Sequence, residues 1–217
     1  MFRDRTDAAN RLARELARYR GRNPLVLAIP RGAVPMGRVL ADALHGELDV
    51  VLVRKLRAPL QAELAVGAID ETGWTYVADY GAGVGADERY LAREQRVQRE
   101  TLQQRRAAYS PLRAPLDPRG RIAIVVDDGL ATGATMIAAL HAVRARQPSR
   151  LVCAVPVAAP DSLRRVESDA DEVVCLQAPA EFEAVGQFYR EFPQVEDDEV
   201  VRCLAAVTPD PLRGQPA

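Results

Sequence analysis

Residues 122–136 read Ile-Ala-Ile-Val-Val-Asp-Asp-Gly-Leu-Ala-Thr-Gly-Ala-Thr-Met, and this stretch decides the fold. Ile122, Ile124, Val125 and Val126 form a short apolar run rich in β-branched residues, the pattern of a parallel strand covered on both faces. Asp127 and Asp128 end it. Residues 129–135 are a loop of small residues with Leu130 as the one bulky side chain, and Met136, Ile137, Ala139, Leu140 and Val143 continue as a helix. A loop of Gly, Ala and Thr at a helix N-terminus exposes backbone N–H groups. Thr132 and Thr135 add hydroxyl donors, and the helix dipole favours an anion there. Two carboxylates just before such a loop would repel a bare phosphate. They fit a ligand that sets hydroxyl donors between them and its phosphate, as a sugar phosphate does. Charge-assisted hydrogen bonds of that kind contribute roughly 1.5–3 kcal/mol each. The plain alternative is an ordinary strand–turn–helix with Asp127 and Asp128 as turn residues.

Upstream, residues 4–19 predict a helix with Leu12, Ala13, Leu16 and Tyr19 on one face, stopped by Gly21, Asn23 and Pro24. Residues 25–29 read as a buried strand, followed by Pro30-Arg31-Gly32-Ala33 and a helix over about 34–44 with Pro35 in its first turn. Residues 48–53 read as the next strand, ending in Arg54-Lys55. Residues 56–63 read as an exposed loop, 64–69 and 73–77 as short strands, and Gly81, Gly83 and Gly85 as a hinge. Residues 86–108 predict a long charged helix with a thin stripe of Tyr90, Leu91, Val97 and Leu102. Downstream, 151–157 and 172–176 read as strands around a short helix capped by Asp161. Residues 179–207 form a mixed tail in which Phe182, Phe188, Tyr189 and Phe192 cluster, with a terminal helix over about 197–206. Alternating strands and helices argue for an α/β protein with a parallel sheet.

The run Val-Val-Asp-Asp-Gly-Leu-Ala-Thr-Gly-Ala-Thr over 125–135 resembles the phosphoribosyl-pyrophosphate (PRPP) motif of type I phosphoribosyltransferases. The resemblance implies that family's α/β fold, a parallel sheet flanked by helices with a small hood or C-terminal addition. It covers roughly residues 24–178 of one domain over 1–207, leaving 86–108 as an insertion helix, 179–207 as the hood and 208–217 as a frayed tail. By resemblance Asp127 and Asp128 hold the ribose hydroxyls, and Gly129, Leu130, Ala131, Thr132, Gly133, Ala134 and Thr135 wrap the 5′-phosphate. Pro30-Arg31-Gly32 resembles the family's pyrophosphate loop, which often carries a cis peptide; the sequence does not reveal whether Arg31-Gly32 is that bond. Arg54 and Lys55 resemble its pyrophosphate-neutralising cations, and 56–63 occupies the place of its flexible lid. Each of these three has a plain reading as a turn, a surface pair or a loop. Phe182 either stacks on the acceptor base, as in purine enzymes of the family, or holds the tail against the sheet.

The implied reaction moves ribose 5-phosphate from PRPP to a small nitrogenous acceptor with loss of pyrophosphate. Mg²⁺ is the implied cofactor, held mainly by PRPP and water. A purine or pyrimidine base is the default acceptor; Ala131 stands where 6-oxopurine enzymes carry an acid, and since Ala cannot move a proton it tilts the choice toward adenine. The second reading, of another class, is a PRPP- or nucleotide-sensing regulator on the same fold.

Composition narrows the field. Among 217 residues the net charge is −1, which gives no global attraction to nucleic acid or anionic membrane. No apolar run approaches the ~20 residues of a membrane span, and residues 1–20 are too charged for a signal peptide. Cys153, Cys175 and Cys203 are odd in number, far apart and without metal-ligand spacing, so a cytoplasmic protein with free thiols is expected. His45 and His141 are isolated and are expected to cap or pack helices. No P-loop and no G-x-S-x-G elbow are present. A homodimer is expected by resemblance, with the helix at 86–108 as its candidate interface.

Overall fold

The computed structural model describes residues 1–109 and 115–205, apart from the side chains at 62 and 63. The Pro-rich tail and part of the 109–120 segment fall outside these. Among the described residues, five strands form one parallel sheet: β1 (Leu25–Ala28), β2 (Glu47–Val50), β6 (Ile122–Val126), β7 (Arg150–Val157) and β8 (Glu172–Gln177), in the order β2-β1-β6-β7-β8. Helices α1 (Arg5–Glu15), α2 (Val34–Leu44), α4 (Ala134–Arg144), α5 (Pro160–Val166) and α6 (Asp197–Ala205) flank it.

The sheet is apolar on both faces because each central strand is a run without polar interruption. Alternate side chains then feed two cores. Val26, Ala28, Ile124, Val126, Val152 and Ala154 join Leu12, Leu16, Met36 and Leu40 on the side of α1 and α2. Leu25, Leu27, Ala123, Val125, Leu151 and Cys153 join Met136, Ile137 and Leu140 of α4 on the other. Ile124 is fully buried on the middle strand. Ile124→Ala is therefore expected to cost about 2–5 kcal/mol, seen as a Tm about 5–15 °C lower for a chain of this size.

The structure departs from the sequence reading around residue 50. Residues 48–53 are not one strand. β2 ends at Val50, and β3 (Val53–Ala58) starts a separate antiparallel sheet with β4 (Gln61–Asp70) and β5 (Thr75–Val77). The unbroken apolar run hides the corner, because Val50, Val51 and Leu52 are all buried on either side of it. Arg54 and Lys55 thus lie within β3, not at the end of a sheet strand. The expected exposed loop at 56–63 is instead the hairpin itself, turning at Pro59-Leu60. Its period-two signal is local: Leu56 and Ala58 are buried, Lys55 and Arg57 exposed.

Smaller differences follow the same logic. The glycine hinge is a 3₁₀ turn at Ala82–Val84. Helix α3 (Glu88–Tyr109) buries Leu102 and the polar Gln98, while Val97 is exposed. Helix α5 starts after Ala159 with Pro160 in its first turn, and Asp161 does not cap it but pairs with Arg164 at 2.5 Å. His45 ends α2 in the left-handed conformation, and His141 stacks face to face on Trp74, ring centroids 3.4 Å apart. That stack joins the hairpin sheet to α4. The three cysteines are free, Cys153 buried and the other two partly so. No helix among the described residues is long and apolar enough to cross a membrane.

Candidate active site

The site forms at the C-terminal ends of β1 and β6, where ligands bind in open α/β sheets. Ala28 pairs with Val126, so the two following loops emerge side by side. After β1, the peptide bond between Pro30 and Arg31 is cis, one bond before Arg31-Gly32. Gly32 then runs against Asp128: a Cβ there would lie 2.1 Å from Asp128 Oδ2 and 3.2 Å from Arg5 Nη2. Only the missing side chain permits this approach.

After β6, Asp127 and Asp128 are both partly buried. Asp127 accepts the Asp128 N–H at 2.9 Å and pairs with no cation among the described residues. Burial, then the Asp128 charge, pushes its carboxyl well above the usual carboxylate range, with Lys55 and Arg5 opposing. Burial also raises Asp128, opposed by Arg5. The guanidinium of Arg5 donates to Asp128 Oδ2 through Nε at 3.0 Å and Nη2 at 2.9 Å. The two acids are therefore unequal: Asp128 is paired with a guanidinium, and Asp127 is paired with no cation among the described residues.

The loop beyond is stitched to its surroundings. Leu130 N–H donates to the Val157 carbonyl at 2.9 Å, Ala159 N–H to the Leu130 carbonyl at 2.9 Å, and Ser162 Oγ to the Ala131 carbonyl at 2.7 Å. Gly133 takes a φ of 78° and leads into α4. Ala131 and Thr132 are exposed, and the first turn of α4 presents N–H groups that no helical carbonyl uses. The hood lies over this loop: a Cβ on Gly129 would sit 2.7 Å from a Val185 methyl. Tyr189 Oη donates to the Asp128 carbonyl at 2.7 Å, and burial, then the Asp128 charge, raises its phenol. Phe182 is half-buried and tilts against Phe188 at 5.1 Å, packed on the core.

Next to this loop a cleft of ≈ 260 Å³ is lined by Pro30, Val53, Arg54, Lys55, Arg57, Ala65, Arg105 and Thr135. Four of these eight are cationic and none is acidic. Arg54 donates to Gln98 Oε1 at 2.8 Å, Gln98 donates to Glu94 at 2.9 Å, and this buried amide fixes Arg54 from behind. Burial, then repulsion from Arg105 and Arg57, lowers the Arg54 guanidinium. Cations held together against their own repulsion suit a polyanion.

The structure thus brings together Arg54, Lys55 and Thr135 in one cleft, and Gly32 and Asp128 in one contact, with Asp127 bonded to the Asp128 N–H. Arg31 points elsewhere, to Glu196 at 3.2 Å and Asp197 at 3.9 Å ahead of and in α6; Tyr109 Oη also donates to Asp197. Arg5, Arg57, Gln98 and Arg105 escaped the sequence reading, and Tyr189 entered it only as one of the clustered aromatics. Arg57 alone had a local signal, the alternation along β3. The others reach the site through long-range packing.

A family model described as phosphoribosyl transferase domain matches residues 3–192. Two Mycobacterium tuberculosis proteins, each named "Putative phosphoribosyl transferase", from strains CDC 1551 / Oshkosh and ATCC 25618 / H37Rv, are 45% identical over 205 residues. These matches cover 94% of this chain and 46% of each relative, so the chain spans about half the length of those proteins. The crystal structure of TT1426 from Thermus thermophilus is 44% identical with a TM-score of 0.80, covering 94% of this chain and 97% of that one. By the family model that matches most of its length, the chain belongs to the phosphoribosyl transferase domain family.

Proposed function

We propose that the protein transfers ribose 5-phosphate from PRPP to a small nitrogenous acceptor, a nucleobase by default, and releases pyrophosphate. The observation that carries this reading is the four-cation cleft lying against the Thr135 end of the small-residue loop and the Pro30 end of the β1 loop. One ligand carrying a diphosphate, a ribose and a 5′-phosphate would span cleft, acidic pair and loop in that order. Asp127 and Asp128 would hold the ribose hydroxyls. Residues 129–135 would wrap the 5′-phosphate. Gly32, Arg54 and Lys55, with Arg57 and Arg105, would surround the pyrophosphate, and Arg31 would join them by leaving Glu196.

The reaction breaks the bond from C1 to pyrophosphate, which leaves with the electron pair, and forms the bond from C1 to the acceptor nitrogen, whose proton is released. Little covalent work falls to the protein. Its part is alignment and charge: cations for the leaving group, carboxylates for the positive ring. Mg²⁺ fits the donor set. Asp127 offers a hard carboxylate oxygen with no competing cation among the described residues, and PRPP oxygens and water would complete the shell. Bound there, the ion would neutralise diphosphate charge. Phe182 remains the candidate on the acceptor side, and Ala131 offers no acid or base to that acceptor.

The test is pyrophosphate release from PRPP and Mg²⁺ against a panel of bases and amines. Release that requires one acceptor is the expected result and names the substrate. PRPP that raises Tm without release for any acceptor would instead favour a PRPP-sensing regulator.

A further inference from the structure

We propose that Arg5 is the positioning residue of the ribose site, holding Asp128 in place from the N-terminal helix and tying it to the hood. The inference rests on the PRPP reading above. Arg5 gives two N–H groups to a single oxygen, Asp128 Oδ2, at 2.9 and 3.0 Å. That leaves Asp128 Oδ1 and the carboxylate of Asp127 for ribose hydroxyls. Its remaining nitrogen, Nη1, donates to the Pro193 carbonyl at 2.6 Å, and the guanidinium carbon Cζ lies over the Phe192 ring, 3.8 Å from its centroid. Both partners are largely shielded, the Arg5 side chain 10% exposed and Asp128 16%, so water screens the pair weakly. The planar fork is needed here: one guanidinium meets a carboxylate, a carbonyl and a ring at once, which an ammonium cannot do.

The geometry also explains the neighbouring loop. Gly32 passes so close that a side chain there would strike Asp128 and crowd Arg5. Asp128 is thus fixed by Arg5 on its carboxylate, Tyr189 on its main-chain carbonyl and Gly32 on its open flank. The 5′-phosphate loop and the cation cleft make no use of Arg5. Its removal should therefore weaken ribose recognition and spare pyrophosphate.

The experiment measures binding by thermal shift of the intact chain, using ribose 5-phosphate and, separately, pyrophosphate with Mg²⁺. In Arg5→Met, ribose 5-phosphate affinity should fall at least about tenfold, the scale of a mispositioned group, while pyrophosphate affinity stays unchanged. Arg5→Lys should recover part of the loss, and it carries the test alone if Arg5→Met does not fold. Equal binding of ribose 5-phosphate by variant and wild type overturns the role of Arg5 and leaves the PRPP reading intact. Parallel loss of both ligands also overturns it, since Arg5 would then support the fold at large. A wild type that binds neither ligand sinks the PRPP reading itself.

Discussion

In Lys55→Ala, pyrophosphate release should slow by about a thousandfold while PRPP binds nearly as well as before. In the proposed reaction, negative charge would grow on the leaving pyrophosphate as its bond to C1 stretches. A cation at ~4 Å, in an effective dielectric of ~20, stabilises one such charge by about 4 kcal/mol, and each ~1.4 kcal/mol is tenfold in rate. Lys55 lines the cleft from an exposed position on β3, whereas Arg54 is half-buried and locked by Gln98. Arg54, Arg57 and Arg105 remain in the variant to hold the ground-state diphosphate. Steady-state pyrophosphate release and a PRPP-dependent Tm shift together check this. A raised KM with kcat intact would mean that Lys55 binds both states equally, and an unchanged kcat would remove it from the reaction.

Gly32→Ala should cost at least about a hundredfold in activity, the scale of a misplaced reacting group, and about 1–3 kcal/mol in stability from overpacking. The added carbon would sit 2.1 Å from Asp128 Oδ2 and 3.1 Å from its Cγ. A flexible side chain could swing aside, but this one is short and held by Arg5. Either the loop after β1 or the acidic pair must therefore shift, and both are parts of the proposed site. Gly83→Ala is the control, since a Cβ there meets nothing within 4 Å. Kinetics and Tm that match between the two variants would contradict the argument.

The parallel sheet was legible because its central strands are short, nearly unbroken apolar runs, with residues 122–126 dense in β-branched side chains, and its early helices carry clear stops. Residues 34–44 are the helix that Pro35 and the apolar spacing mark. The central strand–loop–helix was legible for a chemical reason: carboxylates, small residues and hydroxyls stand in consecutive order. The hairpin was not, because residues 50–53 bury their side chains on both sides of the corner and contain no turn residue. The cleft was half legible. Arg54 and Lys55 are adjacent in sequence, but Arg105 comes from the long charged helix, one arginine among many there, and its neighbour Arg106 pairs with Glu71 at 2.6 Å. Buried Gln98 was hidden in the same helix. Arg5 was out of reach for any local reading, since its partner lies 123 residues away.

Phe2 N–H donates to the Phe188 carbonyl at 2.7 Å, Arg190 N–H to the Phe2 carbonyl at 2.9 Å and Glu191 N–H to the Arg3 carbonyl at 3.0 Å. With Arg5 on Pro193, two segments nearly the whole described chain apart close over the acidic pair. Contacts of such sequence separation are slow to form, and a chain emerging from the ribosome meets its early residues first. The sheet has all its strands once residue 177 is available, yet Asp128 gains its hood only after residue 193. Competence for ribose should therefore trail the appearance of secondary structure during synthesis, and the nascent sheet would exist for a time without a finished pocket.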